Sequence, residues 1–288
     1  MRFLSVCSGI EAASVSWNPI GWNAVGFSEI ESFPCAVLKH HYPHTPNFGD
    51  MNLWKEWPDA TIDVLCGGTP CQSFSVAGLR KGLADPRGNL MLTFLAIAKR
   101  YKPKWVVWEN VPGVLSSNGG RDFGSFLGGL AECGYGFAYR VLDAQYFGLP
   151  QRRKRVFVVG NIGDWHRAAA VLFERESLSG DINKRTKKQI SETEIVGTVT
   201  TRTGISRDNY SAEVGHCIIH NGHPRWLTVT EVERLMGFPV GYTKIGYKNI
   251  TYESCPDAPR YKALGNSWAI PVAKWVGARI NKVEEWTS

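Results

Sequence analysis

Six short apolar runs, spaced through the first 160 residues and separated by stretches of helical period, constrain this chain more than any other feature. They are RFLSV (2–6), AVGFSE (24–29), IDVLCGG (62–68), KWVVWEN (104–110), FAYRVLD (137–143) and RVFVVGN (155–161). Between them, residues 89–101 and 123–133 repeat apolar side chains at the spacing of one helix face. Strands alternating with helices at this interval predict an α/β fold, a doubly wound parallel sheet with helices on both faces. In such sheets chemistry gathers at the carboxyl ends of the strands. Ser8 and Gly9 follow the first run, Glu29 closes the second, Gly67 to Cys71 follow the third, and Glu109 with Asn110 end the fourth. Four polar or glycine-rich clusters thus fall on one edge.

Beyond this region the pattern changes. Residues 163–226 are polar, basic and rich in Thr, Ser and Gly, with NKRTKKQ at 183–189. This predicts a small separate lobe between a sheet domain (1–162) and a C-terminal segment (227–288) whose helices return to it. In that segment TVTEVERLMGFP reads as a helix with Thr230 as N-cap and Glu233 completing a capping box. A last helix is expected to begin near Ile270, with Pro271 in its first turn, where the missing N–H costs little.

Composition narrows the function classes. Lys plus Arg number 33 against 26 Asp plus Glu, a net charge of +7, which favours a polyanionic partner such as nucleic acid. No apolar run approaches the roughly 20 residues that span a bilayer, and the N-terminal stretch is too polar for a secretory signal. A cytoplasmic protein without membrane association is expected. The seven cysteines lack the spacing of a disulfide framework and read as reduced thiols. HCIIHNGH (216–223) gathers metal-like residue types without a zinc spacing, so no metal is expected.

The stretch LCGGTPCQSF (65–74) carries the sharpest chemical signal. Two glycines let the backbone turn after a buried strand, Pro70 stiffens the approach, and Gln72, Ser73 and Ser75 surround Cys71 with polar groups instead of core. A thiol so placed is built to be presented. Here GGTPCQSFS resembles the nucleophile motif of the DNA (cytosine-5) methyltransferases. ENVPG (109–113) is similar to that family's catalytic glutamate motif, and QRRKR (151–155) to its Gln-x-Arg-x-Arg motif. RLMGFP (234–239) looks like the helix supporting the recognition lobe, and GNSW (265–268) like the C-terminal cofactor motif. All five occur in the family's order across nearly the whole chain.

The resemblance implies a Rossmann-like, S-adenosylmethionine-dependent sheet with a small target-recognition lobe at 163–226, of compact bacterial or bacteriophage type. It implies Cys71 as nucleophile toward carbon 6 of cytosine, Glu109 bonding ring nitrogen 3, Arg155 the exocyclic oxygen, and Arg153 holding the loop. For S-adenosylmethionine it implies Ser8, Gly9, Ile10, Glu29, Ile30, Asp50, Met51, Gly67, Leu90, Asn266, Ser267 and Trp268. Cys7 stands where the family usually carries Phe, and Glu11 with Ala12 where it carries a Gly pair. Gln72, Ser75, Thr198 and Arg202 are expected to meet double-stranded DNA, with the target base flipped out of the stack by a monomeric enzyme. Protection of DNA from a restriction nuclease is an expectation by analogy. Two alternatives stay open: an RNA cytosine-5 methyltransferase on the same scaffold, and a catalytically silent DNA-binding relative.

Overall fold

The computed structural model describes residues 1–70, 90–174, 197–199, 217–220, 223–248, 251–252 and 254–286. Its centre is a six-stranded sheet formed by β1 (Arg2–Val6), β2 (Asn23–Ser28), β3 (Val64–Gly67), β4 (Trp105–Asn110), β5 (Tyr135–Asp143) and β6 (Lys154–Ile162). The spatial order is β2-β1-β3-β4-β6-β5. Helices are α1 (Ala12–Trp17), α2 (Ser32–His41), α3 (Leu90–Tyr101), α4 (Arg121–Glu132), α5 (Trp165–Leu172), α6 (Val229–Met236), α7 (Asp257–Asn266) and α8 (Ile270–Glu285).

Alternation along each strand divides the core in two. Phe3, Val64, Cys66, Trp105, Val107 and Val159 face one cluster, shared with α1, α5 and α8. Leu4, Leu65, Val106, Trp108 and Val158 face the other, shared with α3 and α4. Both faces are covered, as a doubly wound sheet requires. The C-terminal helix closes onto the first. Trp17 Nε1 donates to Ala273 O at 2.8 Å, Ser16 Oγ to Ile270 O at 3.1 Å, and Trp22 Nε1 to Asn281 Oδ1 at 2.8 Å.

Three expectations are corrected. The sheet is mixed: β1, β2, β3 and β4 are parallel, but β6 runs antiparallel to both β4 and β5. A buried strand's apolar pattern reads alike in either direction, so its polarity was not legible. Residues 165–172, expected in the separate lobe, form α5, and its Ala168, Val171 and Leu172 join the main core. Finally, α6 starts two residues early. Thr228 is the N-cap and Glu231 completes the capping box. Glu233 is instead fully buried, accepting from Gly241 N at 2.6 Å, Thr243 N at 2.9 Å and Thr243 Oγ1 at 2.5 Å. Overlapping T-x-x-E patterns made the choice ambiguous, and tertiary contacts decided it.

The last helix begins at Ile270 with proline in its first turn. Of the lobe, β7 (Cys217–His220) pairs antiparallel with β8 (His223–Trp226). Residues 175–196 and 200–216 lie outside the described residues. Among the described residues no helix is long and apolar enough to cross a membrane.

Candidate active site

The reversal of β6 builds the site. Because β6 runs against β4, its first residues lie beside the last residues of β4, with Asn110 opposite Val156. Arg155 is thereby brought to the carboxyl edge of the parallel strands, and its Nε lies 3.1 Å from Glu109 Oε1. Glu109 is 7% exposed. Burial pushes its carboxyl up, while Arg155 first and Arg153 second pull it down, and the Trp268 indole N–H also donates to it. Burial likewise lowers the Arg155 guanidinium, with Glu109 opposing. Desolvation favours the neutral acid and the two cations favour the carboxylate, with burial the larger effect.

Arg153 plays a different part. It is 2% exposed, and its guanidinium donates to Val199 O at 2.8 Å, Gly265 O at 2.9 Å and Ser267 O at 2.6 Å. Its own amide is held by Asp143 Oδ1 at 2.9 Å. One side chain thus fastens the 197–199 segment and the turn after α7 to the start of β6. Gln151 does the same nearby: it is fully buried, accepts from Val199 N at 3.0 Å and donates to Leu235 O at 2.8 Å. In the sequence Gln151 stands only as the first residue of QRRKR, with no role of its own. Its only sequence signal was that motif.

The turn leading to Cys71 is also anchored. Asn110 Nδ2 donates to Thr69 O at 2.8 Å, and Trp108 Nε1 to Thr69 Oγ1 at 3.0 Å. Gly68 permits this approach, since a Cβ there would lie 2.9 Å from Glu109 Oε2 and 3.2 Å from Trp268 Nε1. Asn110 and Thr69 were visible in the sequence as strand-end polar residues, but their pairing across two strands was not. Cys71, Gln72, Ser75 and Arg202 lie outside the described residues.

A cavity of about 680 Å³ opens along the same edge. Of the residues expected to bind cofactor, Gly9, Glu29, Ile30, Asp50, Met51, Leu90 and Asn266 line it. Glu29 is its best-defined acceptor: Oε1 takes Ile30 N at 2.8 Å and Glu31 N at 2.7 Å, and Oε2 takes Gly9 N at 2.8 Å. A carboxylate oxygen has two lone pairs, so Oε2 retains capacity for a ligand hydroxyl. The volume falls within the roughly 300–1,000 Å³ of small-molecule sites. An acidic acceptor between an open glycine turn and the apolar Met51 and Leu90 fits a ribose beside a purine.

The remaining expected residues lie apart from this cavity. Gly67, Ser267 and Trp268 line a small adjoining hollow, together with Ser8. Ser8 ties β1 to β2, with its amide donating to Ser28 O and its hydroxyl accepting from Ser28 N, both at 3.1 Å. The Ile10 side chain is fully buried in the core, and its carbonyl accepts the Tyr242 hydroxyl at 2.8 Å. Thr198, half-buried, donates its hydroxyl to Arg152 O at 2.5 Å in an exposed bond. Its hydroxyl is engaged within the chain.

Comparison with known proteins adds an independent view. A family model described as C-5 cytosine-specific DNA methylase matches residues 1–194 and 161–282. The DNA N-6-adenine-methyltransferase of Escherichia phage P1 is 33% identical over 96% of this chain, which spans 61% of that protein's length. Type II methyltransferase M2.BsuMI of Bacillus subtilis (strain 168) is 27% identical over 98% of the chain and 76% of its own length. Among solved structures, the S. pombe Dnmt2 methyltransferase superposes with a TM-score of 0.66 at 18% identity, covering 98% of this chain and 99% of that one. With the family model aligned across both the sheet and the returning helices, the chain belongs to the C-5 cytosine-specific DNA methylase family.

Proposed function

We propose that this chain methylates carbon 5 of a cytosine flipped out of duplex DNA, through a covalent adduct with Cys71. S-adenosylmethionine, when bound, supplies an electrophilic methyl group. Gly9, Glu29, Asp50 and Asn266 would hold it in the cavity they line. The Cys71 thiolate adds to carbon 6 of the ring, which makes carbon 5 a nucleophile. Once carbon 5 carries the methyl group it gives up its proton, the ring double bond re-forms and the thiolate leaves. Negative charge built on the ring during addition is met by the Glu109 carboxyl at nitrogen 3 and by the Arg155 guanidinium at the exocyclic oxygen. The observation that carries this reading is the Glu109–Arg155 pair, 3.1 Å apart and nearly buried beside the turn that leads into Cys71.

A trapping assay tests it. The protein is mixed with S-adenosylmethionine and duplexes carrying 5-fluorocytosine in varied contexts. Fluorine does not leave as a proton does, so a denaturation-resistant adduct is expected on some contexts. An adduct on RNA alone would replace the substrate class. N6-methyladenine in digested product with no adduct would overturn the reading in favour of the activity named for the phage P1 relative. No adduct and no methylated base on either nucleic acid would leave the silent binding protein.

Glu109 gives a second expectation. As a donor it works protonated, so kcat should fall as pH rises through its elevated pKa. Glu109→Gln, an amide at every pH, should lose that alkaline limb and lower kcat about 10²–10³-fold. An unchanged alkaline limb in the variant would remove Glu109 from the proton-donating role.

A further inference from the structure

Glu11 stands in the turn between β1 and α1, and nothing in the proposed chemistry uses it. It is fully buried. Its backbone is left-handed, φ 63 and ψ 56, a region that residues with a Cβ seldom occupy. Oε1 accepts the amide and the hydroxyl of Ser14, each at 3.1 Å, and so caps α1. Oε2 is buried with no hydrogen-bond partner among the described residues. A strained backbone that carries a half-satisfied buried acid persists where the surroundings enforce it, and such outliers cluster at functional sites.

Among the described residues no cation acts on the Glu11 carboxyl. Ser5 of β1 and Ser14 of α1 offer hydroxyls, and Glu29, just beyond β2, presents charge of the same sign. Cys66 of β3, Tyr42 after α2 and Tyr242 after α6 also feel the Glu11 charge, and all three are pushed up, mainly by burial. Tyr242 donates to Ile10 O at 2.8 Å and so is committed to the same turn. Burial pushes the Glu11 carboxyl up to about 7, against the lowering by Ser5 and Ser14. Two residues away Gly9 lines the large cavity, its amide bonded to Glu29 at 2.8 Å.

We propose that Glu11 is a positioning residue of the donor-binding turn, and that its carboxyl releases a proton to solvent when a cationic methyl donor enters the adjoining cavity. The inference rests on reading that cavity as the S-adenosylmethionine site. A positive ligand favours the ionised carboxylate, which then accepts more strongly from Ser14 and stiffens the turn. By linkage, a group more ionised in the complex makes binding tighter as pH rises through its pKa in the free protein. The thioether product lacks the sulfonium charge and should draw out fewer protons than the donor. The turn thereby favours donor over product.

Calorimetry in paired buffers of different ionisation enthalpy tests this, with S-adenosylmethionine and S-adenosylhomocysteine titrated into the wild-type chain, Glu11→Gln and Glu11→Gly. Gln keeps the size and the Ser14 contacts. Gly suits the left-handed backbone and covers the case in which Gln does not fold. The donor's own α-amino group titrates near 8 but does so against every variant, so differences isolate Glu11. Wild type should release more protons at pH 7 than either variant, and its donor affinity should fall about 3- to 10-fold more between pH 8 and pH 6. Equal proton counts and parallel pH profiles would overturn the role of Glu11 while leaving the donor site standing. No donor binding to wild type at any pH would overturn both.

Discussion

Serine in place of Cys71 is expected to lower methyl transfer by roughly 10⁴-fold or more while leaving the fold and donor binding unchanged. A free thiol ionises near pH 8.5, so an appreciable fraction is thiolate at working pH, whereas a serine hydroxyl needs a base to become a nucleophile. On the edge where the turn through Thr69 is held, the acid Glu109 is committed to Arg155 at 3.1 Å. In the proposed mechanism that carboxyl acts as a donor, and it makes a poor base for a new hydroxyl. The turn before position 71 is held through Thr69 by Asn110 and Trp108, contacts that do not involve the thiol. Single-turnover methyl incorporation measured beside a thermal melt separates the two effects. A variant within tenfold of wild type would remove Cys71 from the chemistry, and one with a collapsed melt would make it structural.

Arg153→Met is expected to cost about 3–5 kcal/mol of folding stability, a large share of the margin of a domain this size. Methionine matches the stem but supplies no donors, so Val199 O, Gly265 O and Ser267 O would all be left in a buried site without their partner. Each such carbonyl costs about 1–3 kcal/mol if it stays dry, and partial solvent entry keeps the sum below the total. Burial first and Arg155 second pull the Arg153 guanidinium down to about 9, which still leaves it protonated at neutral pH. The contrast with Arg155 is testable in the same experiment. Arg155→Met breaks the pair with Glu109, whose carboxyl can answer by staying protonated, so it should lower turnover and move the urea midpoint less than Arg153→Met does. If Arg153→Met moved the midpoint by less than about 1 kcal/mol equivalent, the fastening role would be wrong.

The sheet was legible because each buried strand announces itself by an apolar run ended by polar or glycine residues, and the strand ends at Gly9, Glu29, Gly67 and Glu109 fall on one edge as the pattern implied. Strand direction was not, since an inward–outward alternation has no polarity. That missing bit is what places Arg155 against Glu109. Residues whose work is done through backbone carbonyls, such as Arg153 and Gln151, carried no signal beyond a motif match, because their partners lie in segments 46 to 114 residues away. Ile10 shows the converse. Its place in a cofactor motif suggested ligand contact, but packing gave its side chain to the core and its carbonyl to Tyr242. The helix Trp165–Leu172 was hidden by the basic, polar stretch that follows it, although three of its side chains belong to the core.

The seam between α1 and α8 joins residues more than 250 positions apart, as in the Ser16–Ile270 and Trp17–Ala273 bonds. The cavity is lined by Gly9 and Glu29 from the ends of the first strands and by Lys262, Gly265 and Asn266 from the returning segment. The sheet and its loops thus supply most of the cavity's lining, and Tyr247, Pro259, Lys262, Ala263, Gly265 and Asn266 of the returning segment complete it.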